Sequence, residues 1–139
     1  MPVAVIDACV AVAYVMLDEQ DSASQLIGAH EERRLGLIAP TVWEYEVANS
    51  LRTATLRGRI QASFARELLA MLLGMGIRFT GFSDLVTRAW ELALTRGLTV
   101  YDASYIALAE ARDCDLYTCD AQLARAAEDL VTVHLLRGA

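Results

Sequence analysis

Asp7, Glu46, Asp102 and Asp120 stand at the edges of four apolar segments: MPVAVID, PTVWEYEVANSL, LTVYDASYIALAE and LYTCD. A carboxylate beside an apolar run is costly to bury alone, so one such residue carries little information. Four of them, at matching ends of alternating strand-like and helix-like segments, point to a single pocket that wants a cation. Oxygen ligands of this kind suit hard divalent ions such as magnesium or manganese. Such ions commonly serve phosphate chemistry, where they acidify water and offset phosphate charge.

Each acid also has a local alternative. Asp7 and Asp120 follow strand-like runs, where an aspartate can cap the next helix. Glu46 borders a buried helical stripe and could be a solvated helix-face residue. Asp102 stands three residues after Thr99, the spacing of a capping box. Thr118 and Asn49 lie close enough in sequence to order a carboxylate or meet a substrate, or to do neither.

The elements that must position these residues alternate. Val3 to Ile6 reads as a buried parallel strand. Asp18 to Gly28 reads as a short helix and Leu35 to Ala39 as a second strand. Pro40-Thr41 opens a helix with Thr41 and Glu44 at capping-box spacing. Trp43, Val47, Leu51 and Ala54 form its apolar stripe, and Gly58 ends it. Gln61 to Leu73 predicts another helix, and Ile77 to Phe82 a third strand. Ser83 is placed to cap a helix that runs to Gly97. Thr99 to Ala111 follows as a helix, apolar on most sides through Tyr101, Tyr105, Ile106 and Leu108. Leu116 to Cys119 reads as a strand, Ala121 to Ala127 as a brief helix and Val131 to Leu135 as a final strand.

This alternation predicts an α/β three-layer sandwich with a mainly parallel central sheet flanked by helices. Sites in such sheets form at the carboxyl ends of the strands, where Asp7 and Asp120 fall. No linker or internal repeat interrupts residues 1–139, so a single domain is expected.

Composition narrows the possibilities. An apolar content of 55% argues against disorder. The uncharged runs Ala8 to Leu17 and Leu68 to Ile77 are about half the roughly 20 residues of a membrane span, so a soluble cytoplasmic protein without membrane association is expected. All 12 Lys+Arg residues are arginine. The absence of lysine removes the P-loop, the receiver domain and Schiff-base catalysis. A net charge of -6 argues against broad coating of nucleic acid, although metal bound among the acids would neutralise part of it. Cys9, Cys114 and Cys119 form no C-x-x-C pair, and with His30 and His134 they show no zinc spacing.

Taken jointly, the motifs resemble the PIN-domain nuclease family, and within it the VapC-type toxins of toxin–antitoxin pairs. The resemblance is carried by V-I-D-A-x-V (Val5 to Val10) and P-x-x-x-x-x-E-V-x-N-x-L (Pro40 to Leu51). Y-D-A-x-Y-x-A-L-A (Tyr101 to Ala109) and T-x-D-x-x-L (Thr118 to Leu123) complete it. It covers almost the whole chain. It implies a PIN-like fold and a metal-dependent endoribonuclease with Asp7, Glu46, Asp102 and Asp120 as catalytic, metal-holding residues. Thr118 and Asn49 would support them, with magnesium (or manganese) as cofactor. A cognate antitoxin and a homodimer are implied as partners, and the helices around Phe64 to Leu73 are the candidate contact face. One departure stands out: the position two after the first aspartate, usually serine or threonine in the family, is Cys9, a poorer hydrogen-bonding group.

Arg52, Arg57 and Arg59 follow Glu46, and Arg96 precedes Asp102, so some of them are expected at RNA phosphates; exposed helix-end arginines are the alternative. Two other functions fit the same acids: a PIN-like module that binds RNA or protein without cleaving it, and a hydrolase of small phosphate esters.

Overall fold

The architecture comes from a computed structural model that describes residues 1–16 and 21–136. Five strands form one sheet: β1 (Val3–Ile6), β2 (Gly36–Pro40), β3 (Arg78–Thr80), β4 (Asp115–Thr118) and β5 (Val133–Leu135). Their order is β3-β2-β1-β4-β5, and every pairing is parallel. Seven helices connect them: α1 (Ala8–Val15), α2 (Asp21–Glu31), α3 (Val42–Leu56), α4 (Ala62–Leu73), α5 (Val86–Arg96), α6 (Val100–Arg112) and α7 (Ala121–Ala127). The expected α/β sandwich is therefore present.

The β1 strand is flanked by β2 and β4 and is almost wholly buried, which explains its unbroken β-branched character. Helices α1 to α4 pack against one another. On the other side, α6 packs against β1, β2, β4, α5 and α7. The predicted stripe of α3 holds, with Trp43, Val47, Leu51 and Ala54 all buried. Trp43 also meets Phe79 of β3, ring centroids 5.6 Å apart.

Several local expectations are corrected. The run from Ala8 is a helix, α1, whose small and β-branched residues are buried on several sides, so no amphipathic period marks it. Of the expected helix Asp18 to Gly28, residues 18–20 lie outside the described region; the remainder belongs to α2. Thr41 makes no side-chain cap on α3. Phe82–Asp84 is a 3₁₀ turn rather than strand end and cap, so α5 begins at Val86 and Ser83 does not cap it. Strands β2 and β4 are each displaced by one residue from the predicted bounds, and β3 and β5 are shorter.

Gly97 ends α5 in the left-handed region at φ 67°, where a side chain would be strained. Three residues later the chain re-enters a helix, with the Thr99 hydroxyl accepting the Asp102 N–H at 3.1 Å. This tight reversal places Asp102 in the first turn of α6. Among the described residues, no helix is long and apolar enough to cross a membrane.

Candidate active site

The site begins with strand register. Ile6 of β1 pairs with Tyr117 of β4, and the Asp7 N–H continues the ladder to the Tyr117 carbonyl at 2.9 Å. Asp7 is thereby set level with Thr118, whose hydroxyl donates to Asp7 Oδ2 at 2.7 Å. Asp7 occupies the N-cap position of α1 but makes no side-chain cap bond. The local capping explanation for this buried carboxylate is therefore not the one realised.

Thr118 is fully buried and serves three neighbours. Its oxygen also accepts the Asp120 N–H at 3.0 Å and lies 3.7 Å from Cys9 Sγ. A hydroxyl has one hydrogen, and here it is given to Asp7, which leaves the Cys9 thiol as donor towards Thr118. Cys9 Sγ in turn accepts the Cys119 N–H at 3.1 Å. The unusual cysteine thus takes the hydroxyl's place in this network with longer bonds. The Cys119 thiol, burial and the adjacent Asp7 all push the Cys9 thiol up, against the opposing pull of the Cys119 N–H, so it stays protonated.

Asp120 does cap its helix: Oδ1 accepts from the N–H groups of Gln122 at 2.9 Å and Leu123 at 3.3 Å. Both bonds use one oxygen, so capping and a second role are compatible. Glu46 lies in the second turn of α3, where its Oε1 accepts the Tyr105 hydroxyl at 2.5 Å. Tyr105 is buried and belongs to α6, 59 positions further along the chain. Asp7 Oδ2, Glu46 Oε1 and Asp120 Oδ1 are thus anchored, while the second oxygen of each carboxylate takes part in none of these bonds.

The four acids also sense one another. Burial pushes the Glu46 carboxyl up to about 7, with further upward pressure from the charges of Asp7 and Asp102. Burial likewise raises Asp7, aided by Asp102 and opposed by hydrogen bonds from Thr118 and Cys9. Burial raises Asp102 as well, with the charge of Asp120 adding to it and the Thr99 hydroxyl opposing. The Tyr105 phenol is raised by burial and by the charges of Asp7 and Glu46. The chain of mutual repulsions runs through all four carboxylates, and a cation placed among them would relieve it.

The donors are all oxygen, which fits a hard divalent ion. Among the described residues, no three His, Cys, Asp or Glu side chains already converge on one metal-sized point. Glu46, Asn49 and Asp102 line one open cleft of about 340 Å³, which also includes Ser50, Tyr45 and Tyr101.

The arginines are dispersed. Arg52 lines a separate groove between α3 and α4. Arg57 caps the far end of α3, 11 residues and roughly 16 Å along the axis from Glu46, and Arg59 follows it in the same turn. Arg96 is held by Asp129 at 2.6 Å and by the Ala126 carbonyl at 3.1 Å. None of these four lines the carboxylate cleft. Sequence reasoning missed Tyr105 as the partner of Glu46 and treated Tyr101 as a buried helix residue, whereas it is 63% exposed. Nothing local in the sequence signals a contact made across the sheet rim.

The fold and its rim thus define a parallel α/β protein with an acidic, cation-seeking centre at the carboxyl ends of β1 and β4. The family model described as PIN domain matches residues 4–129, and the chain belongs to that family. Ribonuclease VapC3 of Pyrobaculum aerophilum is 36% identical over 132 residues, covering 92% of this chain and 97% of the relative. Ribonuclease VapC9 of Mycobacterium tuberculosis is 36% identical over 119 residues, covering 86% of this chain and 87% of that one. Among solved structures, PAE2754 of Pyrobaculum aerophilum superposes with a TM-score of 0.69 at 25% identity, covering 94% of this chain and 90% of the other. VapBC2 of Rickettsia felis, bound to a DNA fragment from its promoter, gives 0.69 at 14% identity, with 96% and 98% covered; this is a likeness of fold alone.

Proposed function

We propose that the chain is a magnesium- or manganese-dependent endoribonuclease, the toxin of a toxin–antitoxin pair, with residues 1–139 acting as one PIN unit. The observation that carries this reading is the grouping of Asp7, Glu46, Asp102 and Asp120 in one repelling set. The VapC ribonuclease names of relatives matched over most of their length support the RNA substrate.

In this reading Asp7, Glu46 and Asp102 hold a divalent ion directly or through water, and Asp120 helps with a second. Bound there, the ion acidifies water and offsets charge on the attacked phosphate. Thr118 fixes the Asp7 carboxylate across the two strand ends, and the Asp120 N–H donated to the same hydroxyl holds the turn after β4. Tyr105 holds one oxygen of Glu46 and favours its charged, ligating form. Asn49, exposed in the cleft, is placed to meet the substrate. Neither histidine lies at the rim: His30 bridges the Leu37 N–H and the Met75 carbonyl, and His134 pairs with Asp115. Water activation thus falls to the carboxylates and their ion rather than to a histidine base.

The antitoxin is proposed to dock in the groove between α3 and α4. That groove, about 510 Å³, is lined by Leu51, Leu56, Ala65 and Leu69, and α4 exposes Phe64, Met71 and Leu73 beside it. Homodimerisation would cover a further part of the exposed apolar surface. Arg52 in the groove and Arg57 and Arg59 beyond it could meet only the distal phosphates of a long RNA.

The deciding experiment is incubation of purified chain with total cellular RNA in magnesium, in manganese and in EDTA, beside an Asp7→Asn variant. Discrete fragments that need both metal and Asp7 are expected. Folded protein that binds RNA equally in EDTA and cuts none would replace this reading with a binding module.

A further inference from the structure

The chain has five tyrosines. Tyr105 is buried, Tyr14 is half-buried, and Tyr117 is half-buried and stacked on His134, centroids 4.3 Å apart. Only Tyr45 and Tyr101 are exposed, at 78% and 63%, and both line the cleft that holds Glu46 and Asp102. A single exposed aromatic on a helix needs no explanation. Both exposed tyrosines on the walls of one carboxylate cleft, carried by different helices, are another matter.

Folding does not need either ring there. Tyr45 lies on the outward face of α3, next to Glu46, while Trp43 and Val47 beside it are fully buried and fill the core. Tyr101 lies in the first turn of α6, beside Asp102, where Thr99 alone supplies the cap. Each tyrosine therefore shares the cleft with the carboxylates while most of its surface faces solvent. With a net charge of -6 and none of Arg52, Arg57, Arg59 or Arg96 in the cleft, no side chain there attracts phosphate. Grip beyond what a bound ion supplies has to come from groups indifferent to charge. Aromatic rings supply this by stacking on unpaired bases, and an adjacent amide and hydroxyl, Asn49 and Ser50, can meet base edges. A volume of about 340 Å³ suits one nucleotide more than a duplex.

We propose that Tyr45 and Tyr101 form a nucleobase-stacking subsite that holds unpaired bases beside the scissile phosphate. The proposal rests on the ribonuclease reading for what is cut, but not for what is bound.

The test uses the full chain with Tyr45→Ala, Tyr101→Ala and the matching Phe variants. A fluorescein-labelled, unstructured oligoribonucleotide is titrated in EDTA by anisotropy. KM and kcat are measured with magnesium on the same RNA, free and annealed to its complement. Each Ala variant should weaken binding and raise KM by roughly 5- to 100-fold, with kcat nearly unchanged and Phe variants near wild type. The loss should be similar at low and high salt, unlike loss of a phosphate contact, and the duplex should bind poorly whichever residue is present. Ala variants matching wild type, Phe variants failing as badly as Ala, or no binding of the oligonucleotide by wild type would each overturn the subsite. Tyrosine-dependent binding without cleavage would sink the ribonuclease reading and leave the subsite standing; cleavage with unchanged KM would do the reverse.

Discussion

The Tyr105 hydroxyl donates to Glu46 Oε1 at 2.5 Å, joining α6 to α3 over the rim of the sheet. The bond favours the charged form of a carboxyl that burial has already pushed up to about 7. Tyr105→Phe removes the donor and leaves the ring in place. Glu46 then titrates higher still, so the acid limb of the pH–rate profile moves to higher pH. Activity at neutral pH should fall roughly tenfold and recover about one to two pH units higher. A profile that overlays wild type would show that the Tyr105 hydroxyl does not set the titration of Glu46 in the working enzyme.

Metal-free stability should run against the usual direction of acid sensitivity. Asp7, Glu46 and Asp102 all have raised pKa values in the folded chain. Groups of this kind bind protons more tightly when folded. Their stabilisation is complete below the unfolded values, 3.8 and 4.5, and is lost as pH rises through the folded value of each, about 7 for Glu46. In EDTA the midpoint of thermal unfolding should be higher near about pH 5.5 than near about pH 8, and saturating magnesium should abolish the difference. Glu110 and Asp129 are lowered by Arg88 and Arg96, so their opposite contribution operates below that window. A flat or inverted dependence in EDTA would mean the acids do not repel as described.

Asp7 and Asp120 should separate under substitution. Asp7→Asn loses no helix cap, because Asp7 makes none, and it removes a buried charge. Cleavage should drop by roughly 100-fold or more while the metal-free chain is as stable or more so. Asp120→Asn retains a capping side chain, whereas Asp120→Ala should cost about 1 kcal/mol in addition to activity. Denaturant melts of the three variants test this, and a clearly destabilised Asp7→Asn would restore a structural role for that carboxylate.

Thr118 should matter for both stability and rate. Thr118→Val keeps the shape but strands the Asp120 N–H and removes the Asp7 hydrogen bond, costing roughly 1–3 kcal/mol. Thr118→Ser restores the hydroxyl and loses one methyl, about 1 kcal/mol of burial. Cleavage should therefore follow the hydroxyl, with Ser near wild type and Val at least about tenfold slower. If Ser and Val lose activity alike, the methyl rather than the hydrogen bond is what counts.

The fold and the acids were legible because both leave a local trace. Strand ends such as Val3–Ile6 followed by Asp7, and Asp115–Thr118 followed closely by Asp120, announce themselves by apolar runs that stop at a charge. Helix α1 did not, since Ala8 to Val15 lacks a polar face and so resembles any buried segment. Ser83 had the right chemistry for a cap, but Leu85 is buried and the 3₁₀ turn that seats it shifts the helix start beyond the serine. The support of the site was illegible for a different reason. Glu46–Tyr105 and Asp7–Thr118 are contacts across 59 and 111 positions, set by sheet order rather than by spacing. Arg96 looked available in sequence until Asp129, 33 positions away, was found to hold it.

The placement of β1 between β2 and β4 has a consequence for synthesis. Strand β1 is made well before β4, the strand that it needs for its second neighbour. Asp7 leaves the ribosome long before Thr118, by on the order of ten seconds at ordinary elongation rates. Until β4 arrives, β1 has one bare edge, Asp7 lacks its hydroxyl, and Asp120 does not yet exist. A chain broken off before β4 therefore carries no assembled carboxylate set, and the hazard of making such a protein begins only once Asp120 has been added and folded into place.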